Sequence, residues 1–134
     1  MIIADVMQEV AEQLDTIAGL RVHAYPAATI TAPAAVVAYP SDYTFDATYG
    51  RGMDTMTLQV VLWVGKAVER SVRDRISAYL NGSGTSSVKE VLEAGTYTSL
   101  DVLRVASAEL DVFAMNGADY LVAVFDLEIA GQGA

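Results

Sequence analysis

The sequence predicts a single α+β domain, in which a mixed or antiparallel sheet is flanked by two to three helices. Its length of 134 residues fits one domain, since domains of about 100 to 150 residues are the commonest. Hydrophobic residues make up 53% of the chain and charged residues 19%, a composition typical of a folded core. Runs with helical spacing and runs with strand alternation both occur, and Asn116-Gly117 is a strong hairpin signal.

The chain begins with a predicted amphipathic helix from Ile3 to Ala18, which Gly19 ends. Its inward positions recur at helical spacing: Val6, Val10, Leu14 and Ile17. Two short strands follow in the runs "LRVHAY" and "AAVVAYP", with prolines at their edges. The first third of the chain is therefore one helix and two strands.

The stretch "DYTFDATYGRGMD", residues 42–54, alternates aromatic and polar residues and predicts a strand followed by a turn at 50–52. One face carries Tyr43, Phe45, Ala47 and Tyr49. The next strand buries one face made of Met56, Leu58, Val60, Leu62 and Val64. Val61 and Trp63 make its other face apolar as well, which indicates a strand that ends in a buried environment.

A second helix is predicted over residues 66–82, ending at Asn81-Gly82. Its inward positions are Val68, Val72, Ile76 and either Tyr79 or Leu80. After a loop, Ser87 and Glu90 have the spacing of a capping box at the start of a short helix, "VKEVLEAG".

The last third predicts a long hairpin with strands over 101–115 and 118–130 and a flexible tail over 130–134. The second strand has one apolar face, composed of Leu121, Ala123, Phe125, Leu127 and Ile129. On the first strand the apolar parity shifts between Ala106 and Ala108, from Leu103 and Val105 to Leu110 and Val112, which predicts a β-bulge.

The composition excludes several classes of site. The chain has no cysteine, which removes disulfides, thiolate metal sites and cysteine nucleophiles. His23 is its only histidine, and no motif supplies it with a nucleophile, so we expect a structural residue and no enzyme activity. A net charge of −9 disfavours binding to phosphate groups but suits a channel that DNA must pass through. We expect no cofactor, and no apolar run is long enough for a membrane helix.

Four carboxylates pair on the predicted hairpin: Glu109 and Asp111 on one strand, Asp126 and Glu128 on the other. Residues two apart lie on one face of a strand, so the four share a face. Such a face would bind a divalent cation or act as an acid and a base. We favour a solvated or channel-facing surface, because no histidine or glycine-rich ligand loop accompanies the acids.

Three basic residues, Lys66, Arg70 and Arg73, have the i, i+4, i+7 spacing of a stripe on the predicted second helix. Glu69 and Asp74 lie beside them, so a solvated face with local ion pairs is the simpler interpretation. The alternative is a docking stripe for an acidic partner or a second copy of the chain.

The combined order of elements resembles the tail terminator proteins of long-tailed, siphovirus-type bacteriophages, particularly those of actinobacterial hosts. The resemblance covers nearly the whole chain. Its most telling parts are "PAAVV" ending in Tyr39-Pro40, the "RGMD" turn at 51–54, and "SVK" at 87–89 before a short helix. The resemblance implies a fold related to that of tail tube subunits and carries no active-site residues.

The function that this resemblance implies is structural. A homo-oligomeric ring, usually a hexamer, caps the head-proximal end of the tail tube and stops tube polymerisation. It also offers a surface to the head completion proteins, while DNA passes through its lumen without specific binding. Such a protein is made in the host cytoplasm and resides in the virion.

We expect the 43–54 stretch to project from the sheet and to contact a neighbouring subunit or the tube. Its candidate contact residues are Tyr43, Phe45, Tyr49, Arg51 and Met53. Other hypotheses remain: another neck or tail completion protein, a small acidic metal-binding domain or enzyme, or a toxin–antitoxin or adaptor module, for which no specific feature is present. The ring number, the moment of ring formation, the lumen residues, the strand order and the host stay open.

Overall fold

A computed structural model describes residues 2–24, 33–45, 53–115 and 117–132. Within these ranges the chain forms three helices and six strands. In chain order they are α1 (Ile3–Leu14), β1 (Arg21–His23), β2 (Ala34–Val37), β3 (Asp42–Thr44), β4 (Met53–Lys66), α2 (Arg70–Leu80), α3 (Val88–Glu93), β5 (Val102–Met115) and β6 (Ala118–Gln132). The predicted α+β class is confirmed.

All six strands belong to one mixed sheet with the order β1-β2-β4-β6-β5, and β3 pairs with the first part of β4. The β1–β2 pair is parallel, and the other pairs are antiparallel. Consequently β1 and β5 are the two edges of this path, and β5 runs antiparallel to β1. The long strands β4, β6 and β5 make up most of the sheet. Each alternates apolar and polar positions over part of its length, but residues 60–64 of β4 and 121–125 of β6 are apolar on both faces.

The three helices pack on one face of the sheet, which we call the helix face. The predicted inward residues of β4 are all buried there: Met56, Leu58, Val60, Leu62 and Val64. On β6, Ala123, Phe125, Leu127 and Ile129 are buried in the same core, and Leu121 is half-buried against it. The period-2 pattern of the sequence therefore predicted the core side of both strands correctly.

The helix boundaries differ from the predicted ones at two places. Helix α1 ends at Leu14 rather than Ala18, although the predicted inward Ile17 is still buried. Helix α2 begins at Arg70, so the prediction that Val68 faces inward is wrong: Val68 lies in the preceding turn and is 92% exposed. Of the remaining inward positions, Val72, Ile76 and Tyr79 are buried, whereas Leu80 is exposed.

Helix α3 has half of the predicted capping box. The Ser87 hydroxyl accepts a hydrogen bond from the Glu90 amide at 3.2 Å, as an N-cap residue does. The Glu90 carboxylate accepts from the amide of Gly84 instead of from that of Ser87, because the Ser87 amide donates to the Gly84 carbonyl. The cap thus also holds the loop before the helix.

The terminal hairpin is confirmed, with β5 and β6 paired from Val102–Ala130 to Met115–Ala118. Gly117 has a φ of +78°, a backbone conformation that glycine adopts without strain. The register shifts between Val105 and Ser107, which places the predicted bulge at Ala106. The predicted loose tail is wrong over 130–132, since β6 continues to Gln132 and pairs there with the start of β4.

Candidate assembly surface

The face of the sheet opposite the helices, which we call the open face, carries an aromatic patch. Trp63 lies on β4, Tyr120 on β6 and Phe113 on β5, all with the parity opposite to the core residues. The Trp63 ring centre lies 6.0 Å from that of Phe113 and 6.2 Å from that of Tyr120. These distances are in the range of favourable aromatic pairs. Val122, fully buried, lies beside Trp63 in the register.

The other half of the open face is polar. Asp126 accepts a hydrogen bond from the Gln59 side chain at 3.0 Å and a longer one, 3.4 Å, from the Ser107 hydroxyl. Arg104 and Glu128 form an exposed ion pair at 2.8 Å. These cross-strand pairs tie β4, β6 and β5 together, and an exposed ion pair of this kind contributes about 0–1 kcal/mol.

Exposed apolar side chains concentrate on β5, the edge strand. Among the described residues, ten large hydrophobic side chains are exposed, and four of them lie on this one strand: Val102 (55%), Leu110 (55%), Val112 (49%) and Phe113 (40%). Leu110 and Val112 point to the helix face, while Phe113 points to the open face. The end of β5 therefore exposes apolar side chains on the helix face, whereas on the open face Phe113 follows the acids Glu109 and Asp111.

The edge of β5 is partly protected by carboxylates. The Val105 amide donates to Glu93 Oε2 at 3.0 Å, and the Val112 amide donates to Asp111 Oδ1 at 2.8 Å. A hydrogen bond from Lys89 and this Val105 amide lower the pKa of Glu93. These carboxylates accept hydrogen bonds from backbone amides that would otherwise be free to pair with a neighbouring strand.

The four acids predicted on one face are on the open face, as expected, but they are spread along it. Glu109 and Asp111 lie opposite Val124 and Val122, whereas Asp126 lies opposite Ser107. Glu128 is engaged with Arg104. Within the described parts of the chain, no group of three or more histidine, cysteine, aspartate or glutamate residues has an arrangement that would hold a metal ion.

The predicted basic stripe is not a single helix face. Lys66 is the last residue of β4, and Arg70 is the first residue of α2. Arg73 lies one turn further along α2, where it is exposed and 3.9 Å from Asp74. The three bases are therefore exposed around the start of α2 rather than aligned along a helix.

The 43–54 stretch is described only in part. Tyr43 is half-buried against the core, and its hydroxyl donates to Asp54 Oδ2 at 2.9 Å. Burial and this carboxylate raise the pKa of Tyr43. Phe45 is 73% exposed, with its ring centre 4.9 Å from that of Tyr43. Met53 is half-buried at the start of β4, while Tyr49 and Arg51 lie outside the described residues.

A polar contact that the sequence did not reveal joins α1 to the segment before β5. The Glu9 carboxylate accepts hydrogen bonds from the amides and hydroxyls of both Thr98 and Ser99. Burial of this carboxylate acts to raise its pKa, but the hydrogen bonds prevail and lower the pKa of Glu9 to about 2. Because 89 residues separate Glu9 from Thr98, no local spacing in the sequence indicates this contact.

Two of the open clefts in the described parts of the chain lie beside these surfaces. The larger, about 560 Å³, lies between α1 and residues 98–101 and is lined mainly by acids and polar groups. The smaller, about 430 Å³, lies on the open face, where β3, β4, β5 and β6 meet, and contains the Arg104–Glu128 pair. His23 is half-buried on edge strand β1 and lines neither cleft.

A scan against models of protein families found no family that matches the chain. A search of curated proteins also found no match. In the described parts of the chain, no helix is long and apolar enough to cross a membrane.

Sequence reasoning missed the exposure of Leu110 and Val112. Their parity correctly assigned them to the helix face, but α3 contacts β5 near Val105, and the apolar strand continues well beyond that contact. The available signal was length: a 14-residue strand extends further than the six-residue helix that packs on it. The end of β5 thus exposes apolar side chains that a longer covering element would bury.

Proposed function

We propose that the protein is a structural virion component, the tail terminator of a long-tailed bacteriophage, which closes into a ring on the head-proximal end of the tail tube. The observation that carries the proposal is the edge strand β5, with four exposed large hydrophobic side chains. The order of elements, which resembles that of tail terminators, supports the choice of this ring over other assemblies.

An exposed, apolar edge strand is a template for pairing with another chain. Proteins that stay monomeric shorten, twist or charge such edges. Here β5 is 14 residues long. Within the described residues, its edge is modified by the bulge at Ala106 and by the carboxylates of Glu93 and Asp111. Leu110 and Val112 on one face and Phe113 on the other would all lose solvent exposure when a neighbouring subunit is added. Because each of these side chains is already about half-buried, its further burial contributes less than the value of about 1.5–3 kcal/mol for burying a fully exposed one.

Charge favours a ring over a two-fold dimer. If β5 paired antiparallel with β5 of another copy in the register centred on Leu110, Glu109 and Asp111 would face the same two acids of the partner. Like charges opposite each other on neighbouring strands destabilise pairing. A contact between two different surfaces avoids this clash, and repeated contacts of that kind generate closed rings when the rotation closes.

The net charge of −9 supports a role around a DNA channel. An acidic subunit repels the phosphate backbone, so DNA slides past without being held. The same property disfavours a function in gripping nucleic acid. The ring's other partners in this proposal are the tail tube protein below it and the head completion proteins above it.

The test is the length of tails made without this protein. We expect a phage that lacks the gene to produce overlong tail tubes in electron micrographs, and the wild-type gene supplied in trans to restore a single length. Tubes of normal length with unjoined heads would contradict the proposal and would indicate a neck completion protein instead.

A matched pair of variants sharpens this test. Leu110→Asp places a charge on the exposed part of β5, and we expect it not to restore tail length. Val68→Asp makes the same kind of change at the most exposed aliphatic side chain described, which lies in the turn before α2 and not on the edge strand. We expect Val68→Asp to restore tail length, which would separate a surface-specific effect from a general effect of added charge.

A further inference from the structure

We propose that β5 of one subunit pairs antiparallel with β1 of the next subunit, so that the sheets join edge to edge around the ring. This inference rests on the proposed ring and names the two surfaces that form it. The occupant of the exposed β5 edge is a second copy of this chain, through its Arg21–His23 strand.

Strand directions favour this pairing. The antiparallel pairs β2–β4, β4–β6 and β6–β5 and the parallel pair β1–β2 together make β1 antiparallel to β5. Placing a second copy beside the first, with the small rotation that a ring requires, preserves these directions. The two edges then meet as an antiparallel pair, the arrangement with the better hydrogen-bond geometry.

The same placement keeps the open faces of neighbouring sheets on one side. Glu109 and Asp111 are on the open face of β5, opposite Val124 and Val122. Arg21 and His23 are on the open face of β1, opposite Ala34 and Val36, which in turn lie opposite Trp63 and Val61. The pairing therefore brings two acids beside an arginine and a histidine. Opposite charges across strands stabilise a pair, so Arg21 favours this contact with the acids.

The helix faces are complementary as well. Helix α1 packs over β1 and β2, whereas the helix face of β5 has no helix over Leu110 and Val112 in the described parts of the chain. In the joined sheet, α1 of the next subunit lies on the side where these two residues are exposed. Val22, half-buried on the helix face of β1, becomes their neighbour. The apolar end of β5 would thereby gain cover on this face.

The protein contains no cysteine, so engineered disulfides report the contact without background. We would combine Arg21→Cys with either Glu109→Cys or Asp111→Cys and expose the assembled protein to a mild oxidant. Opposed residues of an antiparallel pair have Cα atoms about 4.5–5.5 Å apart, within the range of a disulfide. In denaturing gels without reductant, at least one double variant should give a ladder that ends at the ring number.

The single-cysteine variants are the controls. The pairing of β5 with β1 predicts no cross-linked species from Arg21→Cys, Glu109→Cys or Asp111→Cys alone. A disulfide-linked dimer from Glu109→Cys or Asp111→Cys alone would overturn the inference, because it requires β5 to pair with itself. Double variants that assemble but do not cross-link would overturn it too.

Charge exchange gives an independent readout. Glu109→Lys with Asp111→Lys makes one variant, and Arg21→Glu makes the other; all three side chains are exposed, so both variants should fold. By light scattering, each alone should stay smaller than the wild type at equal concentration, and an equimolar mixture should regain the wild-type mass. Asp5→Lys with Glu12→Lys, an equal charge change on α1, should assemble normally.

The outcomes distinguish this inference from the function on which it rests. If the wild type assembles and all charge variants assemble equally well, the β5–β1 contact is wrong while the ring remains. If the wild type stays monomeric at every concentration, both alone and with tail tube subunits added, the contact and the proposed ring are contradicted.

Discussion

At the scale of single residues, Glu9 joins two parts of the fold that are distant in sequence. Its carboxylate accepts hydrogen bonds from four donors, the amides and hydroxyls of Thr98 and Ser99, the residues that lead the chain into β5. Nearby, the Tyr97 hydroxyl donates to the Leu92 carbonyl at 2.6 Å. Burial and the charge of Glu9 raise the pKa of Tyr97 to about 12, so this phenol remains a donor. Together these contacts fix the start of the edge strand relative to α1 and α3.

The lowered pKa of Glu9 predicts a dependence of stability on pH. Because the folded chain favours the carboxylate, its contribution is complete above the ordinary value of 4.5 and is lost as the pH falls toward about 2. Glu9→Gln should lower the free energy of unfolding at pH 7 by about 1–3 kcal/mol, as expected for hydrogen bonds to a charged group. The difference from wild type should shrink between pH 4.5 and pH 2.

Urea denaturation from pH 7 to pH 2.5 measures this difference. Glu12→Gln is the control, since Glu12 lies exposed on the same helix and, among the described residues, accepts one hydrogen bond, from Gln8 at 3.3 Å. A constant difference between wild type and Glu9→Gln across this pH range would show that the carboxylate form is not the stabilising species.

Tyr43 and Phe45 are neighbours with different predicted roles. Tyr43→Phe removes the hydroxyl that donates to the buried Asp54 and should destabilise the fold by about 1 kcal/mol, without altering assembly. Phe45→Asp changes an exposed ring, so it should leave the melting temperature nearly unchanged while weakening ring formation or tube binding. Thermal melts and assembly assays on both variants test this division; unchanged assembly and tail length with Phe45→Asp would remove this residue from the interface.

At the scale of elements, α2 is positioned by close contact with the end of β4. A Cβ atom added at Gly65 would lie 2.8 Å from Val72 Cγ2, a distance at which one of the two elements must move. This approach explains why α2 can start only four residues after Lys66 and still bury Val72 and Ile76. The glycine is thus needed for space rather than for a special backbone angle.

Gly65→Ala should therefore destabilise the protein by about 1–3 kcal/mol, the usual cost of overpacking. Gly82→Ala is the matched control, because nothing lies within 4 Å of a Cβ added there. Chemical denaturation of both variants checks the prediction. Equal stabilities would mean that the contact between α2 and β4 adjusts at no cost.

The sequence predicted which face of a strand is buried better than it predicted where a helix begins or ends. Alternation assigned the inward residues of β4 and β6 correctly because a strand has a strict period of two. The parity change near Ala106 located the bulge for the same reason. The assignment of Val68 failed because helical spacing continues unbroken from 68 to 76, while the chain is still turning at 67–69. Nothing in the local pattern distinguishes a turn from a first helical turn here.

The candidate surface was less predictable than the fold, because it depends on which parts of a strand another element covers. Leu110 and Val112 have the pattern of core residues, and only the position of α3 leaves them exposed. Strand order is equally non-local, so β5 and β1 were not recognisable as edges. The prediction that the four acids share one face of the sheet was correct. Spacing alone did not reveal, however, that Asp126 and Glu128 are bonded to Gln59 and Arg104.

At the scale of the whole molecule, the sheet has one face covered by helices, one open face and two unlike edges. The β5 edge is long and carries exposed apolar side chains together with two acids, Glu109 and Asp111. The β1 edge is short and carries Arg21 and His23. A subunit built this way fits a ring of identical copies, in which each copy offers a different edge to each neighbour. The high apolar content of a chain with a net charge of −9 is consistent with surfaces that become buried on assembly.

The central claim is that this protein ends a tail tube by binding its tip as a ring. The most direct measurement adds increasing amounts of purified protein to polymerising tail tube subunits of the same phage and records tube lengths by electron microscopy. We predict tubes that shorten as the protein concentration rises, each with a ring at one end, and no shortening with Leu110→Asp. Tube lengths that do not change at any concentration of the wild-type protein would contradict the claim.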